Sequence, residues 1–268
     1  MSRETEAAKL VRVLVGTTAV NLLVGAACCA APFVGRDKNI SVTFRHTDLD
    51  ISTAHTLAAI NFLGTLWPIA CLSDKWMGRH IDKSELWMRY YENVTKHGTN
   101  PYRWLEYCLS VPLIVFMCII VLGTQDAMFL LSQMTLAVAV VVLGYSQERE
   151  KLSKCTEYDL RFPWFPMAAA VGIFLCQWCT IILNAAQSRA IFEVPALVDW
   201  APTISFVIGA GAMLYVMAGA SRYMTTIFAA VFKSRMIGAK TEISSQIISC
   251  VTKVLITLAT VSSFGRLI

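Results

Sequence analysis

Seven apolar segments, each close to the length that crosses a lipid bilayer, occupy most of this chain. A transmembrane helix needs about 20 mainly apolar residues; 56% of the 268 residues are hydrophobic and 15% are charged. This composition excludes a soluble globular domain. We therefore predict an all-α fold, in which residues 1–268 form one domain, a seven-transmembrane-helix bundle with spans at 10–33, 53–74, 102–123, 126–146, 163–186, 200–221 and 243–264.

Basic residues are distributed unevenly between the two sets of connecting segments. Of the 23 Lys and Arg residues, 17 fall on the side that holds the N-terminus and five on the other side. Cytoplasmic connections of membrane proteins carry an excess of Lys and Arg. We therefore predict a multi-pass integral protein of the plasma membrane or an equivalent membrane, with its N-terminus cytoplasmic and its C-terminus extracellular. The net charge of +5 reflects this cytoplasmic face, so the partner is a lipid bilayer and not a nucleic acid.

The first outer connection contains an alternating stretch from Ile40 to Phe44. A stretch in which apolar and polar residues alternate between charged flanks is typical of a short pair of strands. We therefore predict a β-hairpin in this connection. Asn39 begins a glycosylation sequon on the same face, whereas the sequon at Asn93 would lie inside and stay unmodified.

The inner connection between the second and third segments contains an amphipathic stretch, residues 84–93. We predict a helix at the cytoplasmic surface, where its apolar face would lie among the lipid headgroups. Asn100 and Pro101 then form a helix start signal, so the third span begins there.

The nine cysteines give no pattern that predicts a disulfide framework. Cys176 and Cys179 have the spacing of a zinc or redox pair, but no second pair or nearby histidine accompanies them. We therefore expect the cysteines of the apolar segments to be small hydrophobic core residues, and we expect no metal site and no enzymatic activity.

Lys253 lies about halfway along the last apolar segment. A lysine at the centre of a bilayer costs roughly 2.5 to 3.5 kcal/mol on insertion scales, which marks it as a functional residue. It lies about ten residues from either end, so its side chain is too short to reach an interface. Ser249 and Thr257 lie one helical turn to either side, and we expect them to be polar neighbours of the ammonium group.

Glu106 is the candidate partner of Lys253. It lies near the start of the third segment and is followed by nineteen residues without a charge. Helix geometry leaves about 8 Å of depth between the two residues, which a long lysine side chain can cover. The alternative is that Glu106 is an interfacial acid paired with Arg103 in the same helical turn.

These features resemble heliorhodopsins, a branch of the microbial-type rhodopsins. The third segment opens with the run from Arg103 to Ser110, Arg-Trp-Leu-Glu-Tyr-Cys-Leu-Ser, and the seventh contains Ser249-x-x-x-Lys253. Weaker points of similarity are Gln147-Glu148, Trp164-Phe165 and Val194-Pro195. Heliorhodopsins share the inverted orientation that the charge distribution predicts independently, and a long first outer loop.

The resemblance implies an all-trans retinal cofactor bound as a Schiff base to Lys253. It implies that Glu106 is the counterion and that Ser249 forms a hydrogen bond near the imine. Tyr107 and Ser110 belong to the same third-segment motif and are placed in the cofactor site. Phe174, Trp178, Phe206 and Tyr215 are aromatic residues that could form the wall around the polyene.

A proton path is the least determined part of this interpretation. Heliorhodopsins usually place histidines in the inner halves of the first two helices, where this chain has Asn21 and Pro68. The inner proton acceptor of the family is therefore missing from these positions. We assign Glu106, Arg103, Asn21 and Glu193 to the path, with Glu193 as the outer carboxylate.

Three functions are compatible with the sequence. The first is a heliorhodopsin-like photoreceptor that acts as a homodimer on an unidentified signalling partner. The second is a light-gated passive proton channel or transporter. The third is a chromophore-free transporter or receptor that uses Lys253 and Glu106 as an ion pair. Absorption of visible light separates the first two from the third.

Overall fold

Eight helices and one pair of strands form the part of the chain that the structure, a computed structural model, describes. That part comprises residues 3–30, 39–44, 47–77, 85–94, 100–124, 126–153, 164–189, 200–219 and 239–264. The helices are α1 (Arg3–Ala30), α2 (Thr53–Met77), α3 (Glu85–Glu92), α4 (Pro101–Val121), α5 (Ala127–Ser153), α6 (Trp164–Arg189), α7 (Ala201–Gly219) and α8 (Ala239–Phe264). The strands are β1 (Asn39–Phe44) and β2 (Thr47–Ser52).

Six of the described helices are long and apolar enough to cross a membrane: α1, α2, α4, α5, α6 and α8. The remaining apolar segment forms α7, of which the stretch Ala201–Ala212 is shorter than a span. An integral, multi-pass membrane protein is therefore confirmed.

Several helix ends differ from the predicted spans. Helix α1 begins at Arg3, α5 continues to Ser153 and α8 begins at Ala239, all beyond the apolar segments. Hydropathy marks only the part of a helix within the hydrocarbon layer, whereas helical hydrogen bonding continues into the polar turns.

Helix α4 lies at the centre of the bundle. Two thirds of its apolar stretch is buried, compared with 22% for α5 and for α6. Its C-terminal half, from Ile114 to Ile120, packs with Ile60 of α2, Ile181 of α6 and Ile256 of α8 in one hydrophobic cluster. A central helix of this kind directs its polar residues towards other helices instead of lipid.

The start of α4 is fixed by its first residues. The side chain of Asn100 accepts hydrogen bonds from the backbone amides of Tyr102 (3.1 Å) and Arg103 (3.3 Å), and Pro101 occupies the first turn. Asparagine caps a helix by satisfying amides that have no partner within it, and proline is preformed for the first helical position. The predicted start of the third span is confirmed, and it sets the rotation of the residues that follow.

Helix α3 packs on the end of the bundle. Its Trp87 and Tyr90 join a buried cluster with Leu10 of α1 and Trp67 of α2. The backbone amide of Trp87 donates to Asp74 at 2.8 Å. Burial, and to a lesser extent the nearby charge of Glu242, raises the pKa of Tyr90 well above its ordinary value. The helix therefore has a structural role in the bundle that its amphipathic sequence alone does not specify.

Strands β1 and β2 are antiparallel and lie between α1 and α2. Their register pairs Asn39 with Ser52 at one end and Phe44 with Thr47 at the other. The sequon asparagine is therefore the first residue of β1.

Candidate functional site

A buried ion pair joins α8 to α4. The Nζ atom of Lys253 donates a hydrogen bond to Oε1 of Glu106, and the two residues are only 3% and 6% exposed. The hydroxyl of Ser110, one turn after Glu106, donates to the same oxygen at 3.1 Å. Two buried charges of opposite sign therefore compensate each other, which a low-dielectric interior requires.

Arg103 does not pair with Glu106. Its guanidinium group instead binds two other carboxylates, those of Glu148 on α5 and Glu242 on α8. The alternative of an interfacial Arg103–Glu106 pair is therefore wrong, because the first turn of α4 directs the arginine towards α5 and α8.

The Arg103 network is a second group of buried charges. Nη2 of Arg103 contacts both oxygens of Glu148, at 3.0 and 3.1 Å. Nη1 donates to Glu242 at 2.7 Å and to the hydroxyl of Ser245 at 2.9 Å. The indole nitrogen of Trp104 also donates to Glu148. The two terminal nitrogens of Arg103 thus each bind a different carboxylate, and hydrogen bonds between charged groups of this kind are stronger than neutral ones.

Asn100 and Gln246 complete the Arg103 network. The side-chain amide of Asn100 donates to Glu242 at 2.7 Å, and the backbone amide of Asn100 donates to Glu148 at 3.3 Å. Gln246 donates to Glu242 at 3.0 Å. The network therefore ties the starts of α4 and α8 to the end of α5.

Sequence reasoning missed Glu242, and it used Glu148 only as a point of resemblance. The signal for Glu242 was its position one residue before the last apolar segment, where a helix that begins at Ala239 places it in the first turn. A carboxylate there is favoured by the helix dipole, and burial against Arg103 adds a partner.

The side of Lys253 opposite α4 is formed by α2 and α1. Thr257 donates to the backbone carbonyl of Lys253 at 2.9 Å and accepts from Asn61 of α2 at 3.0 Å. Thr257 is thus bonded to Lys253 through the backbone carbonyl of that residue. Asn21 of α1 is buried, and its amide group lies near Nζ of Lys253 beside Gly64.

An apolar cavity extends from Lys253 between α4, α5, α6, α7 and α8. Tyr107 and Ser110 of α4 and Ser249 of α8 lie in its wall near the lysine. Phe174 and Phe206 line it farther along. The ring of Trp178 lies 6.1 Å from Phe174 and 5.7 Å from Phe206 between ring centres and does not line the cavity.

Small residues make room in this cavity. Gly144 of α5 lies against Trp104, and a Cβ atom at position 144 would be 2.5 Å from Cη2 of the indole ring. Ala137 of α5, Ala170 of α6 and Ala210 of α7 also line the cavity. An apolar cavity with a buried primary amine in its wall fits an apolar aldehyde such as retinal.

Several predicted residues cannot be placed in this site. Glu193 and Val194-Pro195 lie outside the described residues, and Tyr215 lies in α7 where the structure describes the backbone alone. Cys176 and Cys179 are exposed on α6, so the expectation that they are core residues is wrong. They occupy the face of an apolar helix that points away from the bundle.

Comparison with known proteins decides the family. A model of the family described as Heliorhodopsin matches residues 77–256. The chain belongs to the heliorhodopsin family. The match includes both Glu106 and Lys253, and it confirms the resemblance in the sequence. Heliorhodopsins are retinal proteins with seven membrane helices, so α7 completes the bundle with the six longer spans.

The heliorhodopsin fold is similar to that of a solved microbial rhodopsin. The crystal structure of a light-driven proton pump from Leptosphaeria maculans superimposes with a TM-score of 0.57 and 13% sequence identity. The similarity covers 97% of this chain and 95% of the pump. No curated protein sequence matches the chain.

Proposed function

We propose that this heliorhodopsin is a light-absorbing photoreceptor in which Lys253 binds all-trans retinal as a Schiff base and Glu106 is its counterion. The observation that supports the proposal most strongly is the buried Lys253–Glu106 pair, whose lysine lines the apolar cavity. A charged pair within a membrane span is costly, so it marks a functional site. The cavity provides room for the chromophore beside the amine.

Lys253 is suited to imine formation because its primary amine lies in the wall of the apolar cavity. An amine in its neutral form is the nucleophile that condenses with an aldehyde. The condensation forms a carbon–nitrogen double bond and releases water. When bound, retinal supplies the absorption of visible light and a change of shape on illumination.

Glu106 is suited to compensate the positive charge of a protonated imine. Its carboxylate already binds the Lys253 nitrogen, and Ser110 holds the same oxygen from the next turn of α4. Asn61 and Thr257 fix the backbone carbonyl of Lys253 from the other side. The Lys253 nitrogen and the Glu106 carboxylate are thereby held in direct contact.

Helix α8 connects this site to the Arg103 network. It carries Lys253 in its middle and Glu242 in its first turn, and Glu242 binds Arg103. A light-induced shift of α8 at Lys253 would therefore move Glu242 relative to Arg103 and weaken that contact. The contact between Arg103 and Glu148 does not involve α8 and can stay unchanged. We propose that this contact passes the change to the cytoplasmic face, where it alters the surface presented to a signalling partner.

We infer the orientation from the distribution of basic residues. The N-terminus is cytoplasmic, the C-terminus extracellular and the β1–β2 connection external. In this orientation the Arg103 network lies near the cytoplasmic ends of α4, α5 and α8.

We further propose that the protein acts as a homodimer.

The second candidate function is light-gated proton transport. It is favoured by the structural similarity to a protein described as a light-driven proton pump. Asn21 lies near Lys253 on the α1 side. Its side-chain amide does not titrate near neutral pH, as a histidine would. A proton that leaves the imine would therefore stay on Glu106, pass inward through water, or move outward towards Glu193. A chromophore-free transporter remains the third class, and visible absorption is its test.

Reconstitution with retinal tests the proposed function. Purified protein is mixed with all-trans retinal, and its spectrum is recorded in the dark and after illumination. We expect a band in the visible range that free retinal lacks and a reversible change of that band in light. A protein that stays colourless with excess retinal would place the chain in the chromophore-free class.

A further inference from the structure

Gly64 lies against the end of the Lys253 side chain. A Cβ atom built at position 64 would be closer to Nζ of Lys253 than real non-bonded atoms approach, and it would lie 3.5 Å from Cε of the same residue. It would also lie 3.1 Å from the side-chain nitrogen of Asn21. The space that any other residue would fill at this position is therefore occupied by the lysine nitrogen.

Glycine at this position has an energetic cost. Gly64 lies inside α2, between Thr53 and Met77. A glycine in the interior of a helix destabilises it by roughly 0.5 to 1 kcal/mol relative to alanine. At position 64 the close approach of the Lys253 nitrogen accounts for a glycine within the helix. Gly16 of α1 provides a contrast, because a Cβ atom there would have no atom within 4 Å.

The Lys253 nitrogen is enclosed on three sides by three helices. Glu106 of α4 binds it on one side, and Gly64 of α2 and Asn21 of α1 lie next to it on the others. Lys253 is 3% exposed, and the apolar cavity borders it on its remaining side. Its position relative to the Glu106 carboxylate thus depends on how closely the α2 backbone approaches.

We propose that Gly64 is a positioning residue for the imine nitrogen, because its missing side chain sets how Lys253 and Glu106 meet. The inference rests on the proposed retinal function. A methyl group at position 64 would take the place of the nitrogen, and the nitrogen cannot move farther towards Glu106, since the two are already in close contact. The nitrogen must therefore move sideways. This displacement weakens its ion pair with the Glu106 carboxylate, so the protonated imine becomes less stable.

The first test compares Gly64→Ala with the matched variant Gly16→Ala after reconstitution with all-trans retinal. The measured quantity is the alkaline pH at which half of the visible band is lost. We expect this midpoint to fall by about one pH unit or more in Gly64→Ala, a roughly tenfold loss of proton affinity, and to stay at the parent value in Gly16→Ala. A midpoint in Gly64→Ala that is unchanged or raised would overturn the proposal.

The second test uses the retinal-free protein and needs no colour. Folded parent, Gly64→Ala and Gly16→Ala are treated with formaldehyde and a mild hydride reductant, and methylation of Lys253 is followed by peptide mass spectrometry. We expect faster methylation of Lys253 in Gly64→Ala than in the other two, because a displaced amine is less protected by Glu106. Equal rates in all three proteins would overturn the positioning role.

These two measurements separate the inference from the proposed function. A parent protein that stays colourless with retinal would reject the photoreceptor, while the methylation rates would still decide whether Gly64 positions Lys253. A coloured parent with an unchanged Gly64→Ala midpoint would keep the photoreceptor and reject the role of Gly64. Alanine is the better helix former, so the variant is expected to fold.

Discussion

Arg103 and Glu106 lie one helical turn apart on α4, yet their side chains belong to two separate charge networks. Arg103 binds Glu148 and Glu242, whereas Glu106 binds Lys253 and accepts from Ser110. Neighbouring charges of opposite sign on one helix often pair with each other. Here each one has a buried partner on another helix, so α4 holds two networks, and α8 carries a member of each.

The first prediction concerns Glu106→Gln. Removing one partner of a buried pair typically costs about 3 to 5 kcal/mol, because the other charge is left without compensation. The protonated imine should therefore be less stable, and a deprotonated fraction that absorbs at shorter wavelength should appear at neutral pH. The measurement is the absorption spectrum as a function of pH.

The matched control for Glu106→Gln is Asp126→Asn. Asp126 is exposed at the start of α5, where its side chain accepts from the backbone amide of Met128, and the asparagine retains that acceptor. Its spectrum should match that of the parent. If Glu106→Gln also titrates like the parent, the counterion is another residue.

The second prediction concerns Arg103→Gln. The substitution leaves Glu148 and Glu242 buried near each other without the cation that binds both, so we expect a loss of stability of about 3 to 5 kcal/mol. Thermal loss of the visible band in detergent should occur at a clearly lower temperature, while the position of the band changes little. Arg149→Gln removes an exposed arginine beside Glu148 and should be nearly neutral. Equal thermal stability of the two variants would show that the Arg103 network does not hold the bundle together.

Hydropathy and residue type predicted much of this fold. Apolar segments located the six confirmed spans, because bilayer thickness limits helix length independently of packing. Lys253 and Glu106 were selected because isolated charges in apolar segments are costly. The start of α4 followed from Asn100 and Pro101, whose effect on a helix is local.

The remaining features depend on helix rotation and packing, which hydropathy does not encode. Arg103 and Glu106 differ in partner because Arg103 reaches Glu148 on α5 and Glu242 in the first turn of α8, whereas Glu106 reaches Lys253 farther along α8. Glu242 was missed because it precedes the apolar segment, and Gly64 because its role depends on which side chain approaches it. Sequence distance gives no measure of such approaches between helices.

The third prediction is the orientation in the membrane. A tag at the N-terminus should be protected on intact cells and a tag after Ile268 accessible, because basic residues are concentrated on the N-terminal side. Asn39 should be able to receive a glycan, and Asn39→Gln should remove any shift in gel mobility on deglycosylation. An accessible N-terminal tag would contradict the predicted orientation.

The fourth prediction tests proton transport through Glu193. In cells that express the protein with retinal, light should evoke a current whose sign follows the applied voltage and the proton gradient. Glu193→Gln should reduce or abolish that current and leave the colour almost unchanged, since a charge far from the imine is screened. Asp126→Asn, an exposed acid at the start of α5, should leave the current intact. An unchanged current in Glu193→Gln would make Glu193 an ordinary surface charge, and no current in the parent would favour the photoreceptor.

The central claim is that Lys253 carries the chromophore, and reductive trapping measures this directly. The retinal-loaded protein is treated with borohydride, which converts the imine to a stable amine, and peptide mass spectrometry locates the retinyl mass. We predict the adduct on Lys253 alone and no visible band in Lys253→Ala, whereas Lys9→Ala should keep its colour. A retinyl adduct on a different lysine, or a coloured Lys253→Ala protein, would contradict the account.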